Sequence, residues 1–355
     1  MTKHLSDWTV GIDLGDRVSV LFGLNRESGE VFEGEFEMAE AAVREHFASF
    51  ERCRIVFEAG GHSRWMSRVL SEMGFEVIVA DPRQLALITK STRKNDRNDA
   101  RRLAELGSAH VANGLELLSP ITHRDDQMQA DLTVLKARDR LVRMRTALIN
   151  EIRGSVKSMG HRLRRCSTPC FHHLVDEIPD ILSDALRPLF EQLKMLSKQI
   201  RAYDRKIEAI QQERYPEIDN LLAIRGVGPM TAMAFRLVVA DAHRFKRSRD
   251  VGAYLGLTPR QHESGSLRKD LGITKAGDRY VRRLLVHAAQ YILGPFGEDC
   301  DLRRWGEQLA SRGGSAAKKR AVVAVARKLA VVMHRIWSDQ SEYEPLRDQQ
   351  QAAAA

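Results

Sequence analysis

Residues 9–24, TVGIDLGDRVSVLFGL, contain two short apolar runs that are rich in strand-forming side chains and separated by a glycine turn. A third run, Val31–Phe36, follows after another turn, so the beginning of the chain predicts an antiparallel meander. Two further runs, Arg54–Phe57 and Phe75–Ala80, alternate with segments whose apolar residues have helical spacing. Strands followed by alternating strands and helices predict one mixed sheet covered by helices, an α/β arrangement.

The middle of the chain is predicted to be helical. Asp125–Met159 has few helix breakers, Cys166–His173 interrupts the pattern, and a second helix is predicted from about Pro188 to Glu213. Apolar residues of this second helix step alternately by four and three positions, which is a heptad seam: Leu189, Leu193, Leu196, Ile200, Tyr203, Ile207 and Ile210. The seam has two interpretations, a coiled-coil arm for dimerisation or one long helix that packs on its own domain.

The last third begins at Tyr215-Pro216 and is predicted to be mostly helical around a glycine-rich irregular centre, with a strong terminal helix over Ala316–Trp337. Its final residues, QQQAAAA, are of low complexity. We therefore predict four regions along the chain: an α/β domain at 1–115, a helical coiled-coil region at 116–215, a mostly helical domain at 216–340, and a disordered tail at 341–355.

Charge is distributed unevenly along the 355 residues. The chain carries a net charge of +9, but residues 1–110 carry −3 whereas residues 216–355 carry +8. A basic excess in one part of a chain indicates an anionic partner. No apolar run is long enough to span a membrane, the first residues lack the apolar core of a signal peptide, and four cysteines suit a reducing compartment. We expect a cytoplasmic protein that does not enter membranes.

Four acidic residues are candidates for a metal site. Asp13 lies in a strand between two glycines, and Glu58 ends another strand at a glycine turn. Asp96 and Asp99 are three positions apart, which places both on one face of a helix. Hard oxygen ligands of this kind favour Mg²⁺ or Mn²⁺, and paired ions of this type assist phosphoryl transfer. Singly, Asp13 and Asp96 could equally be turn or cap residues, and Asp16 competes with Asp13 for the same role.

The segment LAIRGVGPMTA, residues 222–232, has the pattern of a helix-hairpin-helix. A helix enters, Gly226 and Gly228 turn the chain, and Pro229 is well suited to the first turn of the next helix. Free backbone amides at that helix start can bind a phosphate of DNA without reading its sequence. The alternative is an ordinary tight turn between two helices.

A serine-glycine pair, Ser264-Gly265, lies in a predicted loop between basic segments. A serine needs cations, a metal or a base nearby to act as a nucleophile, and Ser266 is nearly as eligible on chemistry alone. Seven cations could surround a phosphodiester there: Arg260, Arg268, Lys269, Lys275, Arg279, Arg282 and Arg283. A separate group, Cys166, Cys170 and His172, has residue types that bind zinc, but its spacing is irregular and no second pair is nearby.

The order of these motifs is more specific than any one of them. GIDLG, FEAGG, KNDRNDARRLAEL, a long helical insertion, IRGVGPMTA, LGLTPRQHESG and ITKAGDRYVRRLLVHAA follow one another between residues 8 and 337. This succession resembles the DEDD insertion-sequence transposases related to the pilin-gene invertase Piv, a family that includes the bridge-RNA-guided recombinases.

The resemblance implies an RNase H-like (RuvC-like) domain, a coiled-coil segment and a C-terminal transposase domain. It assigns the four metal-binding acids to Asp13, Glu58, Asp96 and Asp99, and it assigns the catalytic serine to Ser264. Glu263 stands before that serine where similar sequences often have a small or polar residue.

The activity that the resemblance implies is DNA recombination through a covalent serine–DNA intermediate, assisted by Mg²⁺ or Mn²⁺. A dimer or tetramer would combine the acids of one subunit with the serine of another. A structured noncoding RNA would select donor and target DNA by base pairing, so the protein would read mainly shape and backbone. Two alternatives remain: a metal-dependent Holliday-junction endonuclease that uses water as nucleophile, and a non-catalytic nucleic-acid scaffold.

Overall fold

The computed structural model describes residues 7–83, 85, 95–112, 117–264 and 267–347, with backbone alone at 111–112, 262–264 and 267–270. The chain divides into two compact units, one up to His123 and one from Arg124 onward.

The first unit is built on a five-stranded mixed sheet. Strands β1 (Trp8–Asp13), β2 (Val18–Asn25) and β3 (Val31–Glu37) form the predicted antiparallel meander. Strands β4 (Arg54–Glu58) and β5 (Glu76–Ala80) continue the sheet in parallel beside β1, giving the order β3-β2-β1-β4-β5. The predicted mixed sheet is confirmed.

Helices cover both faces of this sheet. On one face, α1 (Glu40–Phe47) and α2 (Ser63–Glu72) bury apolar residues against the inward side chains of β1 and β4. On the other face lies α3 (Asp96–Ala112), whose Ala100 and Ala104 pack beside Phe22. Successive side chains of β4 point to opposite faces of the sheet, so Ile55 and Phe57 belong to one core and Val56 to the other.

Gly11 allows α3 to lie directly on the middle of the sheet. A Cβ atom at this position would be 2.1 Å from the backbone oxygen of Ala100 and 2.4 Å from the backbone nitrogen of Ala104. Only glycine permits so close an approach of helix and strand backbones. This contact places Ala100 and Ala104 of α3 against Gly11, two residues before Asp13 at the end of β1.

The second unit begins with a long helical hairpin. Helix α4 (Asp126–Ser158) begins after Asp125, whose side chain accepts a hydrogen bond from the Met128 amide at 2.6 Å. A segment of 3-10 helix at Thr168–Glu177 leads into α5 (Asp180–Arg214). Side-chain bonds between the two helices, Arg138 to Asp204 and Arg145 to Ser197, run in opposite order along the chain. The helices are therefore antiparallel.

The heptad seam of α5 is buried within the chain. Leu193, Leu196, Ile200, Ile207 and Ile210 are each no more than 5% exposed. Leu193 lies in one apolar cluster with Ile149, Ile152, Phe171 and Leu174, and Ile207 and Ile210 lie in another with Leu132 and Leu135. This packing is the second of the two interpretations of the seam, and a coiled-coil dimer arm remains a prediction.

Helix α5 begins eight residues earlier than predicted. Pro188 favoured a helix start, but it lies inside the helix. Leu186 and Phe190 on either side of it are buried, and the Phe190 ring stacks on that of Phe171 at 5.8 Å between centroids. Tertiary burial of these side chains compensates for the hydrogen bond that proline cannot donate.

The remainder of the second unit is mostly helical, as predicted. Its helices are α6 (Asp219–Leu222), α7 (Pro229–Val239), α8 (Asp250–Tyr254), α9 (Arg279–Ile292), α10 (Asp301–Ala310) and α11 (Gly314–Asp339). The predicted irregular centre is instead a two-stranded hairpin, β6 (Pro259–Ser264) and β7 (Leu267–Ile273). Backbone pairing stabilises these polar strands. They lack the alternation of apolar and polar residues from which a strand is predicted.

Residues 341–347 contrast with the predicted disordered tail. The Pro345 carbonyl accepts a hydrogen bond from the Asp301 amide at 2.8 Å, and Tyr343 packs on the core of the second unit. These contacts attach this segment to the unit, whereas residues 348–355 of the predicted tail lie outside the described residues.

Candidate functional site

Asp13 and Glu58 lie side by side at one edge of the sheet. The parallel strands β1 and β4 pair Ile12 with Phe57, and each acidic residue is the next one along its strand. Both carboxylates are half-buried. Because the carboxyl ends of parallel strands meet at one edge, this is where α/β sheets usually place their functional side chains.

The other two predicted acids lie on the first turn of α3. Asp96 is exposed, whereas Asp99 is only 5% exposed, next to the Ala100 that touches Gly11. The Oδ1 atom of Asp99 is buried and has no hydrogen-bond partner among the described residues. An unsatisfied buried carboxylate oxygen is costly, so native proteins keep one where a function requires it.

The four acids do not form a ready metal cluster. Among the residues that the structure describes, no group of three or more His, Cys, Asp or Glu side chains is close enough to hold a metal ion. Carboxylates without a cation between them repel one another, which opposes closer approach. Cys166, Cys170 and His172 likewise do not form such a group in the described part of the chain.

The loops after β1 and β4 are joined by side chains that sequence reasoning did not select. His62 Nε2 lies 3.4 Å from Asp16 Oδ1, and the Trp65 indole donates to His62 Nδ1 at 3.1 Å. Ser63 donates to the Gly60 carbonyl at 2.8 Å and lies 3.1 Å from His123 Nε2. Asp16 itself is 94% exposed, so it is a weaker candidate than Asp13. The position of His62 just after the FEAGG turn was the available signal.

The glycine turn of the second unit has the predicted geometry. Gly226 adopts a φ of +89°, where a side chain is strained, and a Cβ there would lie 3.1 Å from the Ala288 oxygen. Gly228 precedes α7, and Pro229 occupies the first helical position. The Gly228 carbonyl accepts hydrogen bonds from the amides of Thr231 and Ala232. The space next to the Gly228 Cα is open, since a Cβ there would have no atom within 4 Å. The entering helix α6 is a single turn. Phosphate binding here remains a prediction.

Ser264 is the last residue of β6. Its backbone pairs with Leu267 across the hairpin, and Glu263 pairs with Arg268. The structure describes only the backbone at Ser264, Arg268 and Lys269, and Ser266 lies outside the described residues. The catalytic role of Ser264 and the phosphate contacts of Arg268 and Lys269 therefore stay predictions.

The remaining predicted cations differ in their availability. Arg260, Lys275 and Arg279 are exposed. Arg282 instead points inward, donating from Nη1 to the carbonyls of Leu255 and Gly277 at 3.0 Å each, and burial lowers its pKa. Arg283 forms an ion pair with Asp139. Two of the cations predicted to contact phosphate thus have partners within the protein, and for Arg282 the contacts are those of a structural residue.

Comparison with known proteins agrees with this architecture. A transposase model for DEDD proteins of the IS110 type matches residues 10–160, and a model described as "Transposase IS116/IS110/IS902 family" matches residues 218–297. Together they include the acidic sheet edge, the glycine turn and the β6–β7 hairpin. These features define an insertion-sequence transposase with an acidic α/β domain.

Full-length relatives assign the family. The chain is 30% identical to a probable family 20 transposase of Pseudomonas aeruginosa, over 95% of this chain and 98% of the relative. It is 31% identical to the transposase of insertion element IS1111A of Coxiella burnetii, over 94% of this chain and 90% of the relative. A pilin gene-inverting protein of Moraxella lacunata is 29% identical over 34% of this chain and 38% of the relative. The chain belongs to the IS110 family of transposases.

Membrane insertion has no support in the described helices. None of them combines the length and the apolar character that a membrane span requires.

Proposed function

We propose that the chain recombines the DNA of an insertion sequence by phosphoryl transfer, with Ser264 as nucleophile and the four acids as metal ligands. The observation that carries the proposal is that Asp13 and Glu58 end adjacent strands of the sheet, while a buried oxygen of Asp99 on α3 has no hydrogen-bond partner in the described part of the chain. Family membership supports DNA as the substrate.

The acids suit a hard divalent cation. Asp13, Glu58, Asp96 and Asp99 offer only oxygen ligands, which Mg²⁺ and Mn²⁺ prefer, and no described residue forms a hydrogen bond with the buried Asp99 oxygen. When bound, the metal would supply charge stabilisation for a phosphodiester under attack. The acids themselves would hold the cation next to the DNA strand that is cut.

Ser264 would carry the covalent step. Its Oγ would form a bond to phosphorus while the bond from phosphorus to a deoxyribose oxygen breaks, and the serine proton would end on the departing hydroxyl. The serine–phosphodiester keeps the energy of the broken linkage, so a second hydroxyl can reverse the step with a new partner strand. Joining therefore needs no nucleotide cofactor.

Partners follow from the same proposal. Donor and target DNA would be chosen by a structured noncoding RNA, and the chain would act as a dimer or tetramer in the cytoplasm. The basic last third of the chain, with a net charge of +8 over residues 216–355, supports contact with nucleic-acid backbone.

A denaturing gel after reaction with labelled DNA, the noncoding RNA of the element and Mg²⁺ tests the nucleophile. Wild-type protein and Ser266→Ala should give DNA that migrates with protein, whereas Ser264→Ala should give none. Free 5′-phosphate ends without protein, unchanged in Ser264→Ala, would support the water-dependent endonuclease instead.

A further inference from the structure

We propose that a cleft between α4 and α9 binds a phosphodiester of nucleic-acid backbone, through arginines of both helices and the phenol of Tyr280. The cleft has a volume of about 350 Å³ and lies wholly within the second unit. The inference rests on the proposed function only in taking a nucleic acid as the partner, and it concerns binding rather than chemistry.

Four cations line this cleft. Lys136 and Arg143 extend from α4, and Arg279 and Arg283 extend from the first turns of α9. Two carboxylates, Asp139 and Asp278, also line it, so the cleft carries a formal net charge of +2. A concave surface with excess positive charge attracts anions more strongly than isolated cations on a convex surface.

The two carboxylates orient the cations. Asp139, only 14% exposed, forms an ion pair with Arg143 at 3.0 Å and accepts a hydrogen bond from Arg283. Asp278 caps α9 with one oxygen and contacts Lys136 with the other at 3.4 Å. These pairs hold three cations in place and leave their remaining N–H groups for a ligand.

Arg279 differs from those three cations. It is exposed and forms no ion pair with any residue that the structure describes. A guanidinium presents its donors in a planar fork that matches two oxygens of a phosphate. Arg279 and Arg143 are therefore the residues that we expect to grip the non-bridging oxygens.

Tyr280 is the observation that points to a ligand. Its side chain is 8% exposed and lines the cleft, yet its hydroxyl has no hydrogen-bond partner within the described part of the chain. Burial raises the pKa of Tyr280 to about 12, so the hydroxyl keeps its proton at neutral pH. A buried phenol normally finds an acceptor, and a phosphate oxygen in the cleft would supply it.

The test measures binding without chemistry. In a Ser264→Ala background, fluorescence anisotropy would follow labelled duplex DNA and, separately, labelled single-stranded RNA at several salt concentrations. Arg279→Gln and Arg143→Gln should each weaken binding about tenfold and lower the slope of log affinity against log salt by about one. Tyr280→Phe should weaken binding about threefold without changing that slope, because the lost donor is neutral.

A matched control separates the cleft from general electrostatics. Arg347→Gln removes the same charge from the same unit, outside the cleft, and should change affinity less than twofold. Weakening confined to DNA or to RNA would support the cleft and identify its partner. Wild-type affinity and slope in all three cleft variants, or an equal loss in Arg347→Gln, would overturn the proposal.

Failure here differs from failure of the proposed function. If cleft variants bind normally while Ser264→Ala still abolishes protein-linked DNA, only the cleft is wrong. If cleft variants lose affinity while Ser264→Ala retains protein-linked DNA, the cleft stands and the serine assignment fails.

Discussion

Asp99 in the first unit and Asp139 in the second are both largely buried acids, but their surroundings are opposite. Asp99, on the first turn of α3, has an oxygen without a hydrogen-bond partner among the described residues, and Asp13 and Glu58 end adjacent strands of the sheet that α3 covers. Asp139 bridges Arg143 and Arg283 beside two further cations. The candidate residues of the first site are all acids, whereas the cleft of the second unit is lined by four cations and two acids.

This difference indicates two ligands of opposite charge. The acidic edge fits a divalent cation, and the cationic cleft fits a phosphodiester. The net charge of the whole chain hides the distinction, since the acidic first third and the basic last third partly cancel.

The largest effect is expected at the acidic edge. Asp99→Asn should lower the rate of strand cleavage at least about 10³-fold, because an amide is a poor ligand for a divalent cation. Its free energy of unfolding should rise or change by less than about 1 kcal/mol, because the variant no longer buries an unpartnered charged oxygen. Cleavage assays and urea titrations measure the two quantities.

Asp16→Asn is the control for this assignment. Asp16 is 94% exposed, and its variant should cleave within about fivefold of the wild-type rate. Loss of cleavage in Asp16→Asn, with normal cleavage in Asp99→Asn, would show that Asp16 rather than Asp99 is the metal-binding acid.

The next effect concerns the contact that positions the acids. Gly11→Ala should destabilise the protein by about 3 kcal/mol or more, because the new Cβ would lie 2.1 Å from a backbone oxygen of α3. Gly34→Ala is the matched change, with its nearest atom a Leu21 methyl at 3.4 Å, and should cost less than about 1 kcal/mol. Equal midpoints in denaturant for both variants would show that α3 does not need the close approach.

A smaller effect is expected at the base of the helical hairpin. Asp131, 2% exposed, accepts from Arg214 at 2.7 Å, from the Tyr215 hydroxyl at 2.8 Å and from Gln127 at 3.1 Å. Asp131→Asn should cost about 2–3 kcal/mol, since it leaves these donors with a weaker acceptor. Asp184→Asn on the exposed face of α5 should change stability by less than about 0.5 kcal/mol in the same melt.

The smallest effect is a pH dependence from the cationic cleft. Burial raises the pKa of Tyr280 to about 12 in the folded state, above its ordinary value of about 10. The folded protein therefore holds this proton more tightly, so the stabilisation is present below pH 10 and is lost as pH rises toward 12. Tyr280→Phe should flatten that decline by roughly 1–2 kcal/mol in denaturation curves at these pH values. An unchanged decline would mean that Tyr280 is not buried as described.

Much of this architecture follows from local patterns in the sequence. Apolar runs beside glycines predict the two strands that end in Asp13 and Glu58, and a long stretch with few helix breakers over Asp125–Met159 predicts α4. Both signals are local, because they depend on neighbouring residues alone. Register between β1 and β4, which makes the acids neighbours, needed the structure.

The features that were not predicted correctly share one cause: each depends on contacts with residues distant in the sequence. The β6–β7 hairpin is stabilised by backbone pairing between polar strands, and Pro188 lies inside α5 because Phe171 packs on Phe190. Arg282 was grouped with surface cations, but its acceptors are the carbonyls of Leu255 and Gly277. The unpartnered hydroxyl of Tyr280 has no signature in the sequence at all.

Mass spectrometry of the covalent complex tests the central claim most directly. Protein reacted with DNA and Mg²⁺, then digested with nuclease and trypsin, yields the peptide Gln261–Arg268, which contains both Ser264 and Ser266. Fragmentation should place the nucleotide phosphate on Ser264, and replacing Asp99 with Asn should abolish the modified peptide. A phosphate located on Ser266, or cleaved DNA with no modified serine, would contradict the account.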